Sequence, residues 1–229
     1  MECPFDMKPR WERRKDARPQ ELLAAALDLF VERGFAATRL EDVARRAGVS
    51  KGTLYLYFAS KEELFKAVVR ENIVPAIGEA EDSIAGFEGH SAELMHAIMF
   101  GWWERIGATK SSAITKLMMA EAGNFPELAA FYNEEVIQRC TAMIRGMLAR
   151  AVERGEFRPV NIDMLTQVLI APMLTLMMWK HSICPCEQGG LDAHGFLDTF
   201  LDSVLRGVLP EGASCPPLPS GPPCPATGA

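Results

Sequence analysis

Hydrogen-bond donors are concentrated in one short stretch of the chain, from Ser50 to Tyr57. Within eight residues it holds a serine, a lysine, a threonine and two tyrosines, with a glycine that permits close approach of the backbone. Side chains of these types donate to phosphate oxygens and base edges, and a helix N-terminus adds unpaired N–H groups. The stretch therefore has the chemistry of a surface that binds nucleic acid.

A short helix over Lys51–Phe58 is predicted to carry these donors, with Ser50 as its N-cap. Leu54 and Phe58 lie four residues apart, so they share one face of the helix and are expected to pack inward. The polar residues then fall largely on the outward arc. Two outward tyrosines on so short a helix are difficult to explain by packing alone.

Another short helix is predicted just before it, and the tight turn Ala47–Ser50 joins the two. Thr38 and Glu41 have the spacing of a capping box at the start of this helix. The next helix begins at Ser60, where Lys61 could hold a further phosphate. Two short capped helices that meet at a glycine-containing bend are typical of a helix-turn-helix.

Apolar residues recur at helical spacing through the rest of the chain. A first helix is predicted over Pro19–Arg33 and stops at Gly34, where a left-handed conformation is expected. Pro75 is predicted to kink or end the helix that begins at Ser60. Further helices are predicted at about 91–107, 110–122, 126–154, 161–182 and 192–208. No stretch alternates with period two for long enough to indicate a strand, so the predicted fold class is all-α.

Charge is distributed unevenly along the chain, although the net charge is -6. Residues 1–70 hold 14 Lys and Arg against 11 Asp and Glu, whereas residues 71–229 hold 10 against 19. Residues 1–17 are interpreted as a flexible basic arm, and the Pro-rich residues 210–229 as a disordered tail. A basic end on an acidic body fits a module that binds a polyanion, but an ordinary solvated surface can show the same pattern.

Several other classes of protein and site are not supported. The N-terminus lacks the apolar run of a signal peptide and the six cysteines form no disulfide framework, so a cytoplasmic location is expected. The apolar stretch Ile162–Trp179 contains polar residues and is interpreted as a buried helix rather than a membrane span. His181, Cys184 and Cys186 are too closely spaced and isolated for a convincing zinc site. No catalytic motif occurs, so neither an enzyme nor a cofactor is expected.

The run from Thr38 to Leu64 resembles the signature of the TetR/AcrR transcriptional regulators; it reads T-R-L-E-D-V-A-R-R-A-G-V-S-K-G-T-L-Y-L-Y-F-A-S-K-E-E-L. The pattern A-x-x-L-F-x-x-x-G-F from Ala26 to Phe35 extends the resemblance, which covers roughly residues 18–70. The resemblance implies an all-α dimer. It places an N-terminal three-helix helix-turn-helix domain over 18–64, a linking helix to about 85, and a helical effector-binding and dimerisation domain over 65–209.

The resemblance also implies which residues contact DNA. By position, these are Thr38, Arg39, Ser50, Lys51, Gly52, Thr53, Tyr55, Tyr57 and Lys61. Leu56 departs from the pattern, because many members carry a polar or aromatic residue there. This departure affects which bases are read rather than whether DNA is bound.

In this family the region after residue 85 binds an effector between helices, and here that region is rich in methionine and aromatic residues. Such side chains accommodate varied apolar ligands. The predicted pocket residues are Met99, Phe100, Trp102, Trp103, Met118, Met119, Phe131, Met143, Met147, Met173 and Met177. Each taken alone fits an ordinary core better, and the cavity is expected for the set because the resemblance implies one. The adjacent Trp102 and Trp103 point about 100° apart on a helix, so they cannot both face one site squarely.

The last two helices resemble the family's dimerisation pair. The residues predicted at the interface are Leu165, Val168, Leu169, Phe196, Leu197, Phe200, Leu201 and Val204. These apolar residues could instead pack within a single chain, which fits the pattern almost as well.

The sequence therefore predicts a ligand-responsive regulator, acting as a repressor and bound as a homodimer to a palindromic double-stranded DNA operator. A small apolar or aromatic effector would release it, and no membrane is involved. The alternative is a helical protein-interaction or enzymatic module without DNA binding.

Overall fold

The computed structural model describes residues 18–182, 192–213 and 216–218. The predicted basic arm over residues 1–17, the cysteines at 184 and 186, and most of the predicted disordered tail lie outside these ranges. Every regular element within the described ranges is helical, which confirms the all-α class.

The helices are numbered in chain order: α1 Arg18–Ala37, α2 Leu40–Arg46, α3 Lys51–Tyr55, α4 Lys61–Asn72, α5 Val74–Ala85, α6 Ser91–Trp102, α7 Ser112–Glu121, α8 Pro126–Tyr132, α9 Arg139–Glu153, α10 Ile162–Ser182 and α11 Ala193–Val208. Two π-helical turns accompany them: Trp103–Gly107 extends α6, and Asn133–Gln138 joins α8 to α9. The last turn of the helix predicted at 91–107 is therefore π-helical, and a π-helical turn divides the helix predicted at 126–154.

Two glycines with positive φ shape the N-terminal helices. Gly34 breaks α1 at the predicted place, with φ 81° and ψ 169°. Gly48 turns the chain between α2 and α3, with φ 67°. A side chain would strain either conformation, so the bend that sets α3 across α2 depends on glycine. The third helix is shorter than predicted, because its helical geometry ends at Tyr55 rather than at Phe58.

Serine caps fix the starts of α3 and α4, as predicted. The Ser50 hydroxyl accepts a hydrogen bond from the backbone N–H of Thr53 at 3.1 Å. The Ser60 hydroxyl accepts from the backbone N–H of Glu63 at 3.2 Å. Each cap satisfies a donor that the first turn of a helix leaves without a partner.

The predicted capping box at Thr38 is wrong. The second helix begins at Leu40, and its N-cap residue, Arg39, makes no side-chain capping bond. The Thr38 hydroxyl instead donates backward to two carbonyls of α1, that of Gly34 at 2.7 Å and that of Leu29 at 3.2 Å. Thr38 therefore closes the end of α1 rather than the start of α2.

An aromatic cluster joins the N-terminal helices to the rest of the protein. Phe30, Phe35 and Phe65 pack with ring centres 5.4 to 5.6 Å apart, and Phe125 lies 4.7 Å from Phe35. Phe30, Phe35 and Phe65 belong to α1 and α4, whereas Phe125 is the N-cap residue of α8. The apolar core around this cluster continues into α7 and α8, while a second core lies among α6, α9, α10 and α11.

The fourth and fifth helices are separated by one residue. The backbone of Ile73 is distorted from ideal helical values, with φ -119° and ψ -48°, and Pro75 occupies the first turn of α5. Proline suits that position because its missing N–H would have no helical partner there. The structure confirms the break predicted at Pro75.

Judged by length and composition only, α10 is the one helix in the described ranges that is long and apolar enough to cross a membrane. It contains Pro172 and packs against α7 and α9, with Leu169, Met173 and Leu176 in the interior. One face of α10 thus belongs to the core, as the sequence predicts.

A buried histidine lies in the second core. His96 on α6 is 5% exposed, and its ring stacks on Phe100 with the centres 4.3 Å apart. Its Nε2 atom has no hydrogen-bond partner among the described residues. Burial lowers the pKa of His96 below its ordinary value of 6.5, although Asp198 acts in the opposite direction.

Acidification is expected to destabilise the protein through His96. Because the pKa is lower in the folded chain, the unfolded chain binds the proton first, and stability falls as pH drops through about 6.5. Replacement His96→Phe should make the free energy of unfolding less dependent on pH between 7.5 and 5.5, as measured by urea denaturation. Equal pH dependence in both proteins would contradict this role. Some slope should remain, because burial also lowers the pKa of His181.

Candidate nucleic-acid interface and interior cavity

The donors predicted on α3 lie on an exposed surface. Lys51 and Gly52 are exposed, and Tyr55 and Tyr57 are 45% and 40% exposed. Leu54 is fully buried beneath them, and Phe58 packs against the same core. The four-residue spacing of these two apolar residues therefore predicted correctly which side of α3 faces inward.

Ser50 and Thr53 are held together at the start of α3. Their hydroxyl oxygens are 2.8 Å apart, so one donates to the other in addition to the backbone cap. Ser50 is exposed, whereas Thr53 is half-buried. Tyr57 belongs to the turn that follows α3 rather than to the helix, yet it remains on the open side.

An ion pair connects α2 and α3 on this surface. Lys51 Nζ lies 2.6 Å from Glu41 Oε1 and 5.7 Å from the centre of the Tyr55 ring. Their hydrogen bond lowers the pKa of Glu41 and raises the pKa of Lys51, so both groups stay charged near neutral pH. An incoming phosphate would compete with the carboxylate for the ammonium group.

Two predicted contact residues are already bonded within the chain. Thr38 is 2% exposed and uses its hydroxyl at the end of α1. Lys61 is half-buried, and its Nζ donates to the carbonyls of Phe35 at 2.7 Å and Ala36 at 3.1 Å. Burial lowers the pKa of Lys61. In this structure both side chains close the end of α1, so their polar groups are already engaged at two of the positions predicted to contact DNA.

The surface also includes residues that the sequence analysis did not select. Arg45 is exposed on α2, next to Asp42 at 3.0 Å, and Arg39, which was selected, is exposed as well. Helical spacing could have identified Arg45, because it lies one turn after Glu41, and residues one turn apart share a face of α2. Leu56 is 83% exposed, more than any other large hydrophobic residue in the described ranges.

A cavity of about 430 Å³ lies in the body, between α6, α7, α8, α9 and α10. Seven of the eleven predicted pocket residues line it: Met99, Trp102, Met118, Met119, Met143, Met173 and Met177. Ile73, at the break between α4 and α5, also lines it, as do Ile106 and Val136 from the two π-helical turns. Exposed Met119 and Ile137 place the mouth of the cavity near α7 and the second π-helical turn.

The other four predicted pocket residues lie elsewhere. Phe100 stacks on His96, and Trp103 and Met147 are buried in the second core. Phe131 packs against the first core, with the Arg70 guanidinium 4.9 Å from its ring centre. Only one of the two adjacent tryptophans reaches the cavity, as their angular separation predicts.

The lining contains few polar groups. Thr115 Oγ1 and the Tyr132 hydroxyl are 2.8 Å apart and share one hydrogen bond, and both residues are buried. Burial raises the pKa of Tyr132 to about 12 and the pKa of Cys140 to about 11. Both groups are therefore neutral near pH 7. Thr141 and Gln167 complete the polar lining.

The predicted interface residues on α10 and α11 divide into two groups. Leu169, Leu197 and Leu201 are at most 1% exposed and pack in the second core, which corrects their placement at an interface. Val168 and Phe196 are exposed by 50% and 40%, and Leu165, Phe200 and Val204 are half-buried. Met164 and Trp179, which were not predicted, extend the exposed apolar face along α10.

The histidine considered as a metal ligand has a partner inside the chain. His181 Nε2 lies 2.7 Å from the Ser112 hydroxyl, and burial together with Lys180 and Lys116 lowers its pKa. No group of three His, Cys, Asp or Glu side chains suited to a metal occurs in the part of the chain that the structure describes.

Two family models match the chain. Residues 22–68 match bacterial regulatory proteins of the tetR family, and residues 92–185 match a tetracyclin repressor-like C-terminal domain. The first match contains the exposed surface of α3, and the second contains most of the cavity lining.

Similar proteins match over most of their length. The HTH-type transcriptional repressor KstR2 of Rhodococcus jostii (strain RHA1) is 30% identical over 196 residues, 85% of this chain and 92% of that protein. The structure of the ketosteroid transcriptional regulator KstR2 of Mycobacterium tuberculosis has a TM-score of 0.67 at 26% identity, covering 86% and 97% of the two chains. FadR from Bacillus subtilis, solved with stearoyl-CoA, has a TM-score of 0.70 at 19% identity, covering 82% and 98%. At that identity the likeness to FadR shows the fold alone.

Replacement Thr38→Val is expected to lower the free energy of unfolding by about 1 kcal/mol, because two carbonyls of α1, one in a buried and one in a partly buried contact, lose the hydroxyl proton that they share. The matched replacement Thr53→Val removes a hydroxyl bond on the exposed surface, where water can substitute, and should change stability by less than about 0.5 kcal/mol. Urea denaturation measures both. Equal losses in the two variants would argue against the internal role of Thr38.

Proposed function

This chain belongs to the TetR family of bacterial regulatory proteins, and we propose that it represses transcription from a palindromic operator until a small apolar effector releases it. It is a DNA-binding transcriptional regulator, as its relatives are. We infer the palindromic operator, the apolar effector and the action as a repressor.

The observation that carries the proposal is the open donor surface on α3. Lys51, Tyr55 and Tyr57 are exposed above the buried Leu54, and Arg39 and Arg45 add positive charge from α2 and its N-cap. Polar and cationic groups on the exposed side of a short second helix suit phosphate and base-edge contacts in a major groove. A protein-interaction module would have no need for this concentration of donors.

A second copy of the chain completes the proposal. On α10 and α11, the apolar side chains of Met164, Val168 and Phe196 are exposed. Pairing of this face with its own copy about a two-fold axis would bury it and present two α3 surfaces. Two such surfaces read half-sites about 34–36 Å apart, or a multiple of that distance.

The cavity is positioned to influence the DNA-binding helices. Ile73, the residue between α4 and α5, lines the cavity. Met118 belongs both to the cavity lining and to the first core. That core includes α1 and the aromatic cluster. A ligand that moves these walls would favour a different orientation of α4, and a conformer with another half-site spacing binds the operator less tightly.

An apolar effector fits both the lining and the relatives. Methionines and branched aliphatic residues dominate the cavity wall. KstR2, the relative that matches over most of this chain, is named a ketosteroid regulator, and a steroid is a largely apolar molecule. This relative supports the general character of the effector.

Replacement Lys51→Ala should weaken binding to the DNA that flanks the protein's own gene by about tenfold, because a charged contact to phosphate is lost. The plot of log affinity against log salt should become shallower by about 0.9 for each lost contact. Arg145→Ala is the matched control, since Arg145 is 56% exposed against 57% for Lys51 but lies on α9. Gel-shift titration at several salt concentrations measures both effects. Equal behaviour of the two variants would remove Lys51 from the contact surface.

Leu56 is expected to read thymine, since an apolar side chain that is exposed on a groove-facing surface can cover the thymine methyl group. Replacement of one operator thymine by uracil, which lacks this methyl, should weaken wild-type binding by about fourfold at the position read. The variant Leu56→Ala should be insensitive to the same replacement. A uracil scan that affects both proteins alike at every position would contradict this assignment.

A further inference from the structure

The cavity wall provides no side chain of opposite charge that could pair with a charged ligand. Its described lining residues include no Asp, Glu, Lys, Arg or His. The two titratable groups that are present, Tyr132 and Cys140, are neutral near pH 7, and burial raises their pKa values further, to about 12 and about 11. An ionised group in such surroundings would lose its hydration without gaining a counter-ion, which is costly.

The polar pair in the lining has a surplus donor. Thr115 and Tyr132 together carry two O–H groups, and their single mutual hydrogen bond uses one of them. Neither hydroxyl has another hydrogen-bond partner in the part of the chain that the structure describes. Both residues are buried and both line the cavity, so a hydroxyl that has no acceptor within the protein lies at the cavity wall. A buried donor requires an acceptor.

We propose that the effector is an uncharged apolar molecule with an acceptor oxygen, such as a ketone or an ester, and that the Thr115–Tyr132 pair donates a hydrogen bond to this oxygen. The inference rests on the proposed function, because it assigns the ligand of the effector cavity. It goes further by stating which groups the interior of the cavity does not accommodate: carboxylates, phosphates and amines. Thr115 and Tyr132 are the residues that determine specificity, and the methionines supply apolar contact.

The test uses two naphthalene dyes that differ in charge. Prodan is neutral and carries a ketone oxygen whose hydrogen bonding shifts its emission to longer wavelength, whereas 1-anilinonaphthalene-8-sulfonate is an anion. Prodan should bind, with an emission maximum at longer wavelength than in an aprotic apolar solvent. The variant Met143→Trp, which fills the cavity from its wall, should abolish this binding. The sulfonate should not displace Prodan.

The double variant Thr115→Val/Tyr132→Phe tests the hydrogen bond. Both replacements are combined, because either hydroxyl left alone would retain a proton for the ligand. Prodan affinity should fall by about two- to tenfold, and its emission should move to shorter wavelength. The matched control Thr141→Val removes another hydroxyl of the lining and should change neither quantity. If the double variant does not fold, the emission of Prodan bound to the wild type still decides whether its oxygen is hydrogen-bonded.

Four outcomes would overturn the inference: absence of Prodan binding, an aprotic-type emission in the wild type, unchanged affinity and emission in a folded double variant, or displacement of Prodan by the sulfonate. All of these measurements are made without DNA. A failure of operator binding therefore contradicts the proposed function without affecting the ligand class. Conversely, operator binding that survives while Prodan fails to bind contradicts only the ligand class.

Discussion

The packing of four phenylalanines constrains the rest of the structure. Phe30, Phe35 and Phe65 hold α1 against α4, and Phe125 extends the contact to the start of α8. Aromatic rings at these separations add specific geometry to the burial of apolar area. The orientation of α3 relative to the cavity therefore follows from a shared core rather than from a flexible connection.

The end of α1 shows how polar groups support that core. Gly34 breaks the helix with a positive φ, and the carbonyls released nearby accept hydrogen bonds from Thr38 and Lys61. Lys61 also lies 4.4 Å from the centre of the Phe35 ring, so one cation contacts both the carbonyls and the aromatic cluster. The donor surface is in this way separated from the groups that hold the domain together, and the exposed side chains of α3 can differ without loss of the fold.

The sequence predicted the helices well because their signals are local. Glycines, prolines and apolar spacing placed the breaks, and Leu54 defined the inner side of α3. Local patterns do not reveal contacts that join distant segments. Lys61 bonds to carbonyls about 25 residues away, which no local pattern contains. Beyond Trp102 a π-helical turn changes the register, and Gly107 leaves room for the Trp103 ring against the backbone, so faces assigned from a regular helix no longer hold.

The six methionines of the cavity wall affect how many different compounds the cavity can bind. Their side chains are unbranched and polarisable, so they rearrange at small energetic cost around ligands of unequal outline. A wall of this kind discriminates poorly by shape, whereas a fixed hydroxyl pair discriminates by chemistry. In the proposed role, a cavity that tolerates ligands of different size but requires one hydrogen-bond acceptor would respond to a class of compounds rather than to a single metabolite.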